Sequence, residues 1–321
     1  MKQYNVVIIG AGNIGAGFDS PESDEILTHA HAFLKNDKFN LIGFYDVDFV
    51  KAASAANKWN VQAFVTMESA MKHAEVVCCT VPDAYHYQVL KEIAEYPVKL
   101  VFAEKPITKT EEQAEEICLL YKEKNIPILV NYTRRFVSEF IRLRERIREN
   151  EFGRYIRGTG YYGKGILHNG SHMLDFLSFL LSEHGEICEV KGKHPFVDFE
   201  EDDPCVEVSF NIAGGSFYMH PLDCNIATLF EIDMFFEKAR IRMTDGCRFV
   251  EEYEVLPSLT YQGYYNYCLV EQYNIKYDSS FENAVENIFN ILENGEELLC
   301  NKKNASDILK ICKILQKAEK M

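Results

Sequence analysis

Glu104, Lys105 and Pro106 are the first residues whose types and order could do chemistry. They follow an apolar run at 98–101 and precede residues 108–112, whose composition is typical of a helix start. The residue before a proline is driven out of the helical region, and a Lys–Pro peptide bond is one of the few that can be cis. Lys105 therefore has little conformational freedom, and its amine could act on a proton at a fixed place. Most Glu-Lys pairs are solvated surface, however, so the surrounding elements decide its meaning.

A glycine-rich turn, Gly10-Ala11-Gly12-Asn13-Ile14-Gly15, comes directly after the apolar run at 6–9. In such a turn the glycines permit a tight bend, the approach of a pyrophosphate, and close packing of helix on sheet, with the phosphates at a helix N-terminus. A lone run of this kind is a weak signal. Here it is the first strand-to-helix turn of an alternating domain, which favours dinucleotide binding over a purely structural turn.

Asp46 ends the second predicted strand. A carboxylate there can accept hydrogen bonds from both adenosine ribose hydroxyls and would repel a 2′-phosphate, so it predicts NAD and makes NADP less favoured. The alternative is a capping aspartate for the next helix. Asp46 lies farther from Gly15 than the usual spacing of about 20 residues. The surplus includes an acidic stretch, 18–25, where Pro21 should interrupt any helix. We expect a loop there, whose role stays open.

Thr80, Pro82 and His86 follow the fourth predicted strand. Strand ends on this side of a doubly wound sheet border the cofactor crevice, so Thr80 and Pro82 are predicted to border the dinucleotide. His86 is a further candidate contact. A packed, structural histidine is an equally good interpretation of that position.

The first half of the chain alternates short β-branched runs with helical patterns, which is typical of a parallel sheet covered on both faces. The predicted strands are 5–9, 41–46, 61–65, 75–80, 98–103 and 127–131, and the predicted helices are 28–35, 49–58, 68–72, 83–95 and 110–124. This pattern predicts an α/β, doubly wound Rossmann domain at 1–132.

The alternating polarity of the second half predicts an α+β domain at 133–321 with a mainly antiparallel sheet. Its predicted helices are 138–150, 169–181, 280–293 and 305–317, and its predicted strands are 186–199, 205–212, 216–221, 226–237, 239–243 and 249–256. The tyrosines between 253 and 277 are expected on sheet faces or at an oligomer contact.

The composition restricts the class of partner. A formal charge of −15 argues against nucleic acid or an anionic membrane. The ten cysteines show neither a CxxC pair nor zinc spacing, so no metal site is predicted, and we expect a reducing cytoplasm. No apolar stretch is long enough to span a membrane or to act as a signal peptide.

Several motifs, in this order, resemble the Gfo/Idh/MocA oxidoreductases, the group of glucose-fructose oxidoreductase and inositol dehydrogenase. The resemblance covers nearly the whole chain. Its motifs are the glycine turn, Thr80-Val81-Pro82 with His86, Glu104-Lys105-Pro106, Asn131-Tyr132-Thr133-Arg134-Arg135-Phe136, and His168-Asn169-Gly170-Ser171-His172 followed by Asp175.

The resemblance implies a Rossmann domain joined to an open-faced sheet domain, in homodimers or homotetramers. It also implies an NAD(P)-dependent oxidoreductase that transfers hydride at a secondary hydroxyl carbon of a sugar, cyclitol or nucleotide-linked sugar. Lys105 matches the lysine that touches both nicotinamide and hydroxyl, and His172 matches the catalytic histidine. Such a pair suits the reaction, because alcohol oxidation needs a base near neutrality. Glu104 and Asn131 are expected beside the cofactor.

One position departs from that family. His168 stands where many members carry an aspartate, so a carboxylate–lysine–histidine arrangement is in doubt, although His168 could still hydrogen-bond a sugar hydroxyl. Asp175 is another candidate substrate contact, which could instead orient His172 or be a helix surface charge. Arg134 could bind a substrate anion or pair with a nearby acid. Asn169 and Tyr162 are further candidate substrate contacts.

Two other functions remain open on the same scaffold. One is a non-catalytic, dinucleotide-binding sensor, because a fold does not fix a function. The other is a lyase that keeps its NAD, or a reductase acting on other bonds. The presence of both Lys105 and His172 favours the dehydrogenase.

Overall fold

The computed structural model describes residues 3–194, 196–277 and 279–318. The chain forms two compact units, one made of Met1–Phe136 with Asp278–Leu309 and the other of Val137–Tyr277 with Lys310–Met321. The sequence predicted a single cut after residue 132. Each unit instead consists of two separate stretches of the chain, since residues 278–309 belong to the first unit and residues 310–321 to the second.

The first unit contains a parallel sheet in the order β3-β2-β1-β4-β5-β6, as predicted for a doubly wound domain. The strands are β1 (Tyr4–Ile9), β2 (Phe39–Tyr45), β3 (Gln62–Phe64), β4 (Val76–Cys79), β5 (Leu100–Ala103) and β6 (Ile128–Val130). Every residue of β4 and β5 is buried, which explains why these strands are apolar without alternation.

Four of the five α-helices within residues 29–123 begin at a side-chain cap. The five are α1 (His29–Lys35), α2 (Phe49–Trp59), α3 (Met67–Met71), α4 (His86–Ile93) and α5 (Glu111–Glu123). Asp48 caps α2 by accepting from the backbone N–H of Val50, and Thr110 caps α5 by accepting from that of Gln113. Asp46 is therefore not the cap of α2, and that alternative is wrong.

The second unit is built on an eight-stranded sheet in the order β14-β13-β12-β11-β7-β10-β9-β8. The strands are β7 (Tyr155–Tyr162), β8 (Glu186–Lys193), β9 (Val206–Ile212), β10 (Gly215–Pro221), β11 (Glu231–Phe236), β12 (Ala239–Thr244), β13 (Phe249–Pro257) and β14 (Tyr265–Asn274). All its described pairings are antiparallel except β7 with β10, so the mainly antiparallel sheet is confirmed.

Four helices complete the described chain: α6 (Ser138–Arg148), α7 (Ser171–Leu181), α8 (Ser279–Asn294) and α9 (Lys302–Lys317). The sequence did not predict β7, whose two glycines hide the strand pattern. These glycines are needed, because a Cβ on Gly158 would lie 2.7 Å from Phe217 and one on Gly160 would lie 2.4 Å from Met173. Within the described ranges, no helix is long and apolar enough to cross a membrane.

The acidic stretch after the glycine turn is anchored by one buried aspartate. Asp19 accepts hydrogen bonds from the backbone of Leu27 at 2.6 Å, the hydroxyl of Thr28 at 2.5 Å and the ring of His31 at 2.9 Å. Thr28 in turn caps α1 by accepting from the backbone N–H of His31. The stretch that the sequence left without a role therefore fixes the start of α1.

Replacing Asp19 by alanine is expected to lower the free energy of unfolding by about 2–4 kcal/mol, because three donors lose their acceptor and two of these hydrogen bonds are buried. Glu22→Ala, at an exposed position of the same stretch, is the matched control and should change stability by less than about 0.5 kcal/mol. Chemical denaturation of both variants measures the difference. Equal stability of the two variants would contradict this role of Asp19.

Candidate functional site

The glycine turn joins β1 to a short π-helical segment at Asn13–Gly17. Gly10 has a φ of +100°, and a Cβ there would lie 2.7 Å from the Thr80 backbone, so a side chain is excluded. A Cβ on Gly12 would meet nothing within 4 Å. The open space at Gly12 is the kind of cradle that a pyrophosphate fills. After this segment the chain enters the loop anchored by Asp19, as expected from Pro21, and α1 begins only at His29.

Hydrogen bonds from three neighbouring elements fix this turn. The N–H of Gly10 donates to Tyr45 O at 2.8 Å, the Thr80 hydroxyl donates to Gly10 O at 2.7 Å, and Trp59 Nε1 donates to Ala16 O at 3.0 Å. Thr80 is 5% exposed. It therefore shapes the turn from beneath, which corrects the prediction that it borders the dinucleotide directly.

Asp46 lies against the glycine turn just after β2. Its Oδ2 accepts from the N–H of Ala11 at 2.8 Å, and its Oδ1 accepts from the N–H of Asp48 at 2.9 Å. Each carboxylate oxygen has a further lone pair that could accept a ribose hydroxyl. The turn and this carboxylate together fit a dinucleotide.

Glu104, whose side chain is 14% exposed, is the centre of a largely buried cluster just after β5. Its Oε1 accepts from His29 Nε2 at 2.8 Å and from Asn131 Nδ2 at 2.7 Å. Burial by itself raises the pKa of Glu104, but these hydrogen bonds and the nearby charge of Lys105 leave that pKa below its ordinary value. Glu104 is therefore a carboxylate at neutral pH, beside the half-buried Lys105.

His86 is a structural residue, which corrects its prediction as a cofactor contact. It is fully buried, with Nδ1 2.6 Å from Pro106 O and Nε2 2.8 Å from Val81 O. It thus connects the turn that contains Pro82 to the turn that contains Lys105. The Lys105–Pro106 peptide bond is cis.

In the second unit, a π-helical segment at Gly165–Gly170 runs directly into α7 and carries His168 and Asn169. His172 is the second residue of α7 and is half-buried. The amide of Asn169 donates to Gly163 O at 3.0 Å. Three of the predicted residues therefore lie within two consecutive helical segments.

A loop between β8 and β9, which the sequence did not single out, holds that segment. Asp203 accepts from the backbone N–H groups of Leu167 and His168, each at 2.8 Å. Asp198 accepts from the N–H of Lys164 at 2.8 Å. The ring of His168 stacks on Phe199 with the centroids 4.0 Å apart. Nothing in their sequence pattern indicates these contacts.

Burial of Asp203 has an electrostatic consequence. Burial raises the pKa of its carboxyl, and the hydrogen bonds from Leu167, His168 and Gln316 only partly offset that rise.

Within the described residues, no group of His, Cys, Asp and Glu could hold a metal ion.

Two predicted substrate contacts are core residues. Tyr162 is fully buried, and its hydroxyl donates to Val206 O at 2.7 Å and accepts from Val206 N at 2.8 Å. It alternates with Tyr161, which is 42% exposed, because neighbouring strand residues face opposite sides. Asp175 is 1% exposed, which argues against a substrate contact and rules out a helix surface charge. Its role in orienting His172 stays a prediction. Arg134 lies half-buried in a 3₁₀ turn, and its predicted role stays a prediction.

Comparison with known proteins identifies the first unit. Residues 4–132 match the family described as "Oxidoreductase family, NAD-binding Rossmann fold", the Gfo/Idh/MocA family. The chain is 29% identical over 100 residues to the redox-sensing transcriptional repressor Rex of Thermosipho africanus, covering 30% of this chain and 44% of Rex. It is 28% identical over 165 residues to inositol 2-dehydrogenase of Corynebacterium glutamicum, covering 50% of this chain and 46% of that protein. Each match therefore spans less than half of the curated relative.

A solved structure matches the whole fold. UDP-N-acetylglucosamine 3-dehydrogenase from Acidithiobacillus ferrooxidans superimposes with a TM-score of 0.77, covering 98% of this chain and 97% of that one. The two sequences are 14% identical, so this match supports the fold alone. The resemblance to the Gfo/Idh/MocA oxidoreductases is confirmed by the family match over residues 4–132.

Gly12→Ala is expected to leave the fold intact and to weaken NAD binding at least about tenfold, because the new methyl group fills the open space where the pyrophosphate would lie. Melting temperature without cofactor and calorimetric titration with NAD measure the two effects. Gly10→Ala, whose methyl group would collide with backbone, should instead lower the melting temperature. Normal NAD affinity in Gly12→Ala would contradict the cradle.

The lowered pKa of Glu104 predicts how the stability of the protein changes at acid pH. A carboxyl whose folded pKa is depressed contributes stability above its unfolded pKa, near 4.5, and loses that contribution as the pH falls through the folded value. Glu104→Gln should therefore lose stability less steeply than the wild-type chain below about pH 4.5. Urea denaturation at several pH values in this range measures the free energy of unfolding of both proteins. An equally steep loss of stability with falling pH in the two proteins would contradict the prediction.

Proposed function

Because residues 4–132 belong to the NAD-binding Rossmann fold of the Gfo/Idh/MocA oxidoreductases, we propose that this chain is an NAD-dependent dehydrogenase. It would transfer hydride between nicotinamide and a secondary hydroxyl carbon of a sugar, cyclitol or nucleotide-linked sugar. The Glu104 cluster carries this proposal. It places Lys105 immediately after β5, on the strand-end edge of the sheet where the glycine turn also lies.

The chain's own residues would handle the proton. When bound, the nicotinamide supplies the hydride acceptor. Removing hydride from an alcohol carbon requires a base for the hydroxyl proton, and His172 is suited to that task near neutral pH. Lys105, beside the Glu104 carboxylate, would hydrogen-bond the same oxygen or share its proton. His168 and Asn169, on the segment before His172, would position the substrate.

The choice of NAD over NADP rests on Asp46. Its carboxylate lies against the glycine turn, and Asp48 adds a second negative charge two residues later. A 2′-phosphate would be repelled by both groups, whereas the 2′-hydroxyl of NAD would find an acceptor. We therefore expect stabilisation by NAD to exceed stabilisation by NADP.

The substrate class is supported by the named activities of similar proteins. The relative from Corynebacterium glutamicum acts on a cyclitol, and the structural neighbour acts on a nucleotide-linked sugar, according to their names. Both are ring polyols with secondary hydroxyl groups. A substrate of this class would offer the carbon that the proposed chemistry needs.

A dinucleotide sensor is the second candidate, and the similarity to Rex, a redox-sensing repressor, favours it specifically. A sensor needs the cofactor cradle and has no need of a base. The presence of both Lys105 and His172 favours the enzyme over the sensor.

Lys105→Ala and His172→Ala are each expected to lower kcat by about a hundredfold to ten-thousandfold, because each removes a group that handles the proton. NAD affinity should stay close to that of the wild-type chain. The matched controls are Lys109→Ala and His73→Ala, at exposed positions. Turnover is followed as NADH formation with a panel of sugars, cyclitols and nucleotide-linked sugars.

Undiminished turnover in both variants would contradict the assignment of the pair. Tight NAD binding without turnover on any member of the panel would favour the sensor. Substrate conversion without net NADH formation would favour a lyase that retains its cofactor.

A further inference from the structure

His29 is a buried histidine in the first unit that the proposed chemistry does not use. Its side chain is fully buried, and its ring lies 4.4 Å from the ring of Phe102 and 5.2 Å from that of Phe281. Its Nε2 lies 2.8 Å from Oε1 of Glu104, which directly precedes Lys105. It is separated from Glu104 by more than half of the Rossmann domain in sequence.

The surroundings of His29 assign the proton on its ring. Nε2 faces a carboxylate oxygen that also accepts from Asn131, so Nε2 must carry hydrogen for the contact to be a hydrogen bond. Nδ1 is buried and has no hydrogen-bond partner among the described residues. His29 therefore acts on Glu104 as a fixed donor.

The helix that carries His29 cannot shift easily. His29 is the first residue of α1, directly after the cap Thr28. Thr28 and His31 both bond to Asp19, whose carboxylate is buried. The loop that follows the glycine turn thereby fixes the first turn of α1 and, with it, the position of the His29 ring.

We propose that His29 is a positioning residue for Lys105, which it serves by fixing the Glu104 carboxylate beside the lysine through the His29–Glu104 hydrogen bond. This inference rests on the proposed function for its catalytic meaning. The geometry on which it depends lies entirely within the first unit. Asn131 is the second donor to the same oxygen and completes the fixation.

The effect on Lys105 is electrostatic. A carboxylate with two donors on one oxygen keeps its charge and its orientation despite burial. Its negative charge beside Lys105 favours the ammonium form of the lysine. Without His29, the carboxylate would be held by Asn131 alone, so it would be less well compensated and less firmly oriented, and less negative charge would face the lysine.

Chemical labelling of Lys105 measures this effect directly, because acetic anhydride acylates the neutral amine and not the ammonium. The half-buried lysine is open to a small reagent, and acylation at residue 105 is quantified by peptide mass spectrometry. His29→Leu removes the donor and keeps an apolar side chain of similar bulk. His29→Gln keeps an N–H donor near the position of Nε2. Glu104→Gln removes the charge itself.

At a fixed pH near 8, Lys105 in Glu104→Gln and in His29→Leu is expected to be acylated about threefold faster or more than in the wild-type chain. His29→Gln should label at close to the wild-type rate. The double variant with His29→Leu and Glu104→Gln should label no faster than Glu104→Gln alone, because both changes act through one carboxylate.

The proposal would be overturned if Lys105 were acylated at the wild-type rate in His29→Leu but faster than that in Glu104→Gln. Equally fast labelling in His29→Leu and His29→Gln would also overturn it, because the donor would then not matter. No substrate is used, so a failure to find dehydrogenase activity leaves this result unaffected and is recognised separately by the turnover assay.

If His29→Leu does not fold, the wild-type protein still provides a test. Nitrogen NMR of labelled histidine reports which ring nitrogen carries hydrogen. A proton on Nε2 of His29 supports the proposal, and a proton on Nδ1 alone overturns it.

Discussion

The largely buried charge of Glu104 is the constraint on which the first unit's site depends. A carboxylate loses its hydration when it is buried and is stable only where donors replace the lost water. Those donors come from His29 at the start of α1 and Asn131 just after β6. Three elements distant in sequence must therefore meet at one point. His86 fixes the same turn from another side, through Pro106 O.

The second unit uses a similar device. Asp203 accepts from two successive backbone N–H groups, and Asp198 accepts from the N–H of Lys164 just before them. Both carboxylates come from an irregular loop, and they fix the segment that carries His168. In each unit, then, an aspartate outside the obvious motifs holds the backbone in place, Asp19 in the first and Asp203 in the second. The residues proposed for chemistry sit on segments made rigid in this way.

Sequence patterns predicted most of the regular elements, β7 and β14 excepted, because burial on both faces leaves a local signature, as in β4 and β5. The glycine turn and Asp46 could also be predicted from the sequence, since each directly follows a strand. The contacts of His29 and Asp203 were not, because each joins residues far apart in sequence and neither has a periodic pattern. Tyr162 was misjudged because one strand step separates a buried tyrosine from an exposed one. The sequence could not decide between a cofactor contact and a packed histidine for His86, because the two carbonyls that its ring bonds belong to separate turns.

Deuterium transfer tests the central claim most directly. The chain is incubated with NAD and a sugar or cyclitol that carries deuterium on its secondary hydroxyl carbons, and the nicotinamide is examined by NMR. The expected result is one deuterium at nicotinamide C4 for each carbonyl product formed and released. Product formed without deuterium in the released cofactor, or tight NAD binding with no transfer to it from any substrate of this class, would contradict the dehydrogenase.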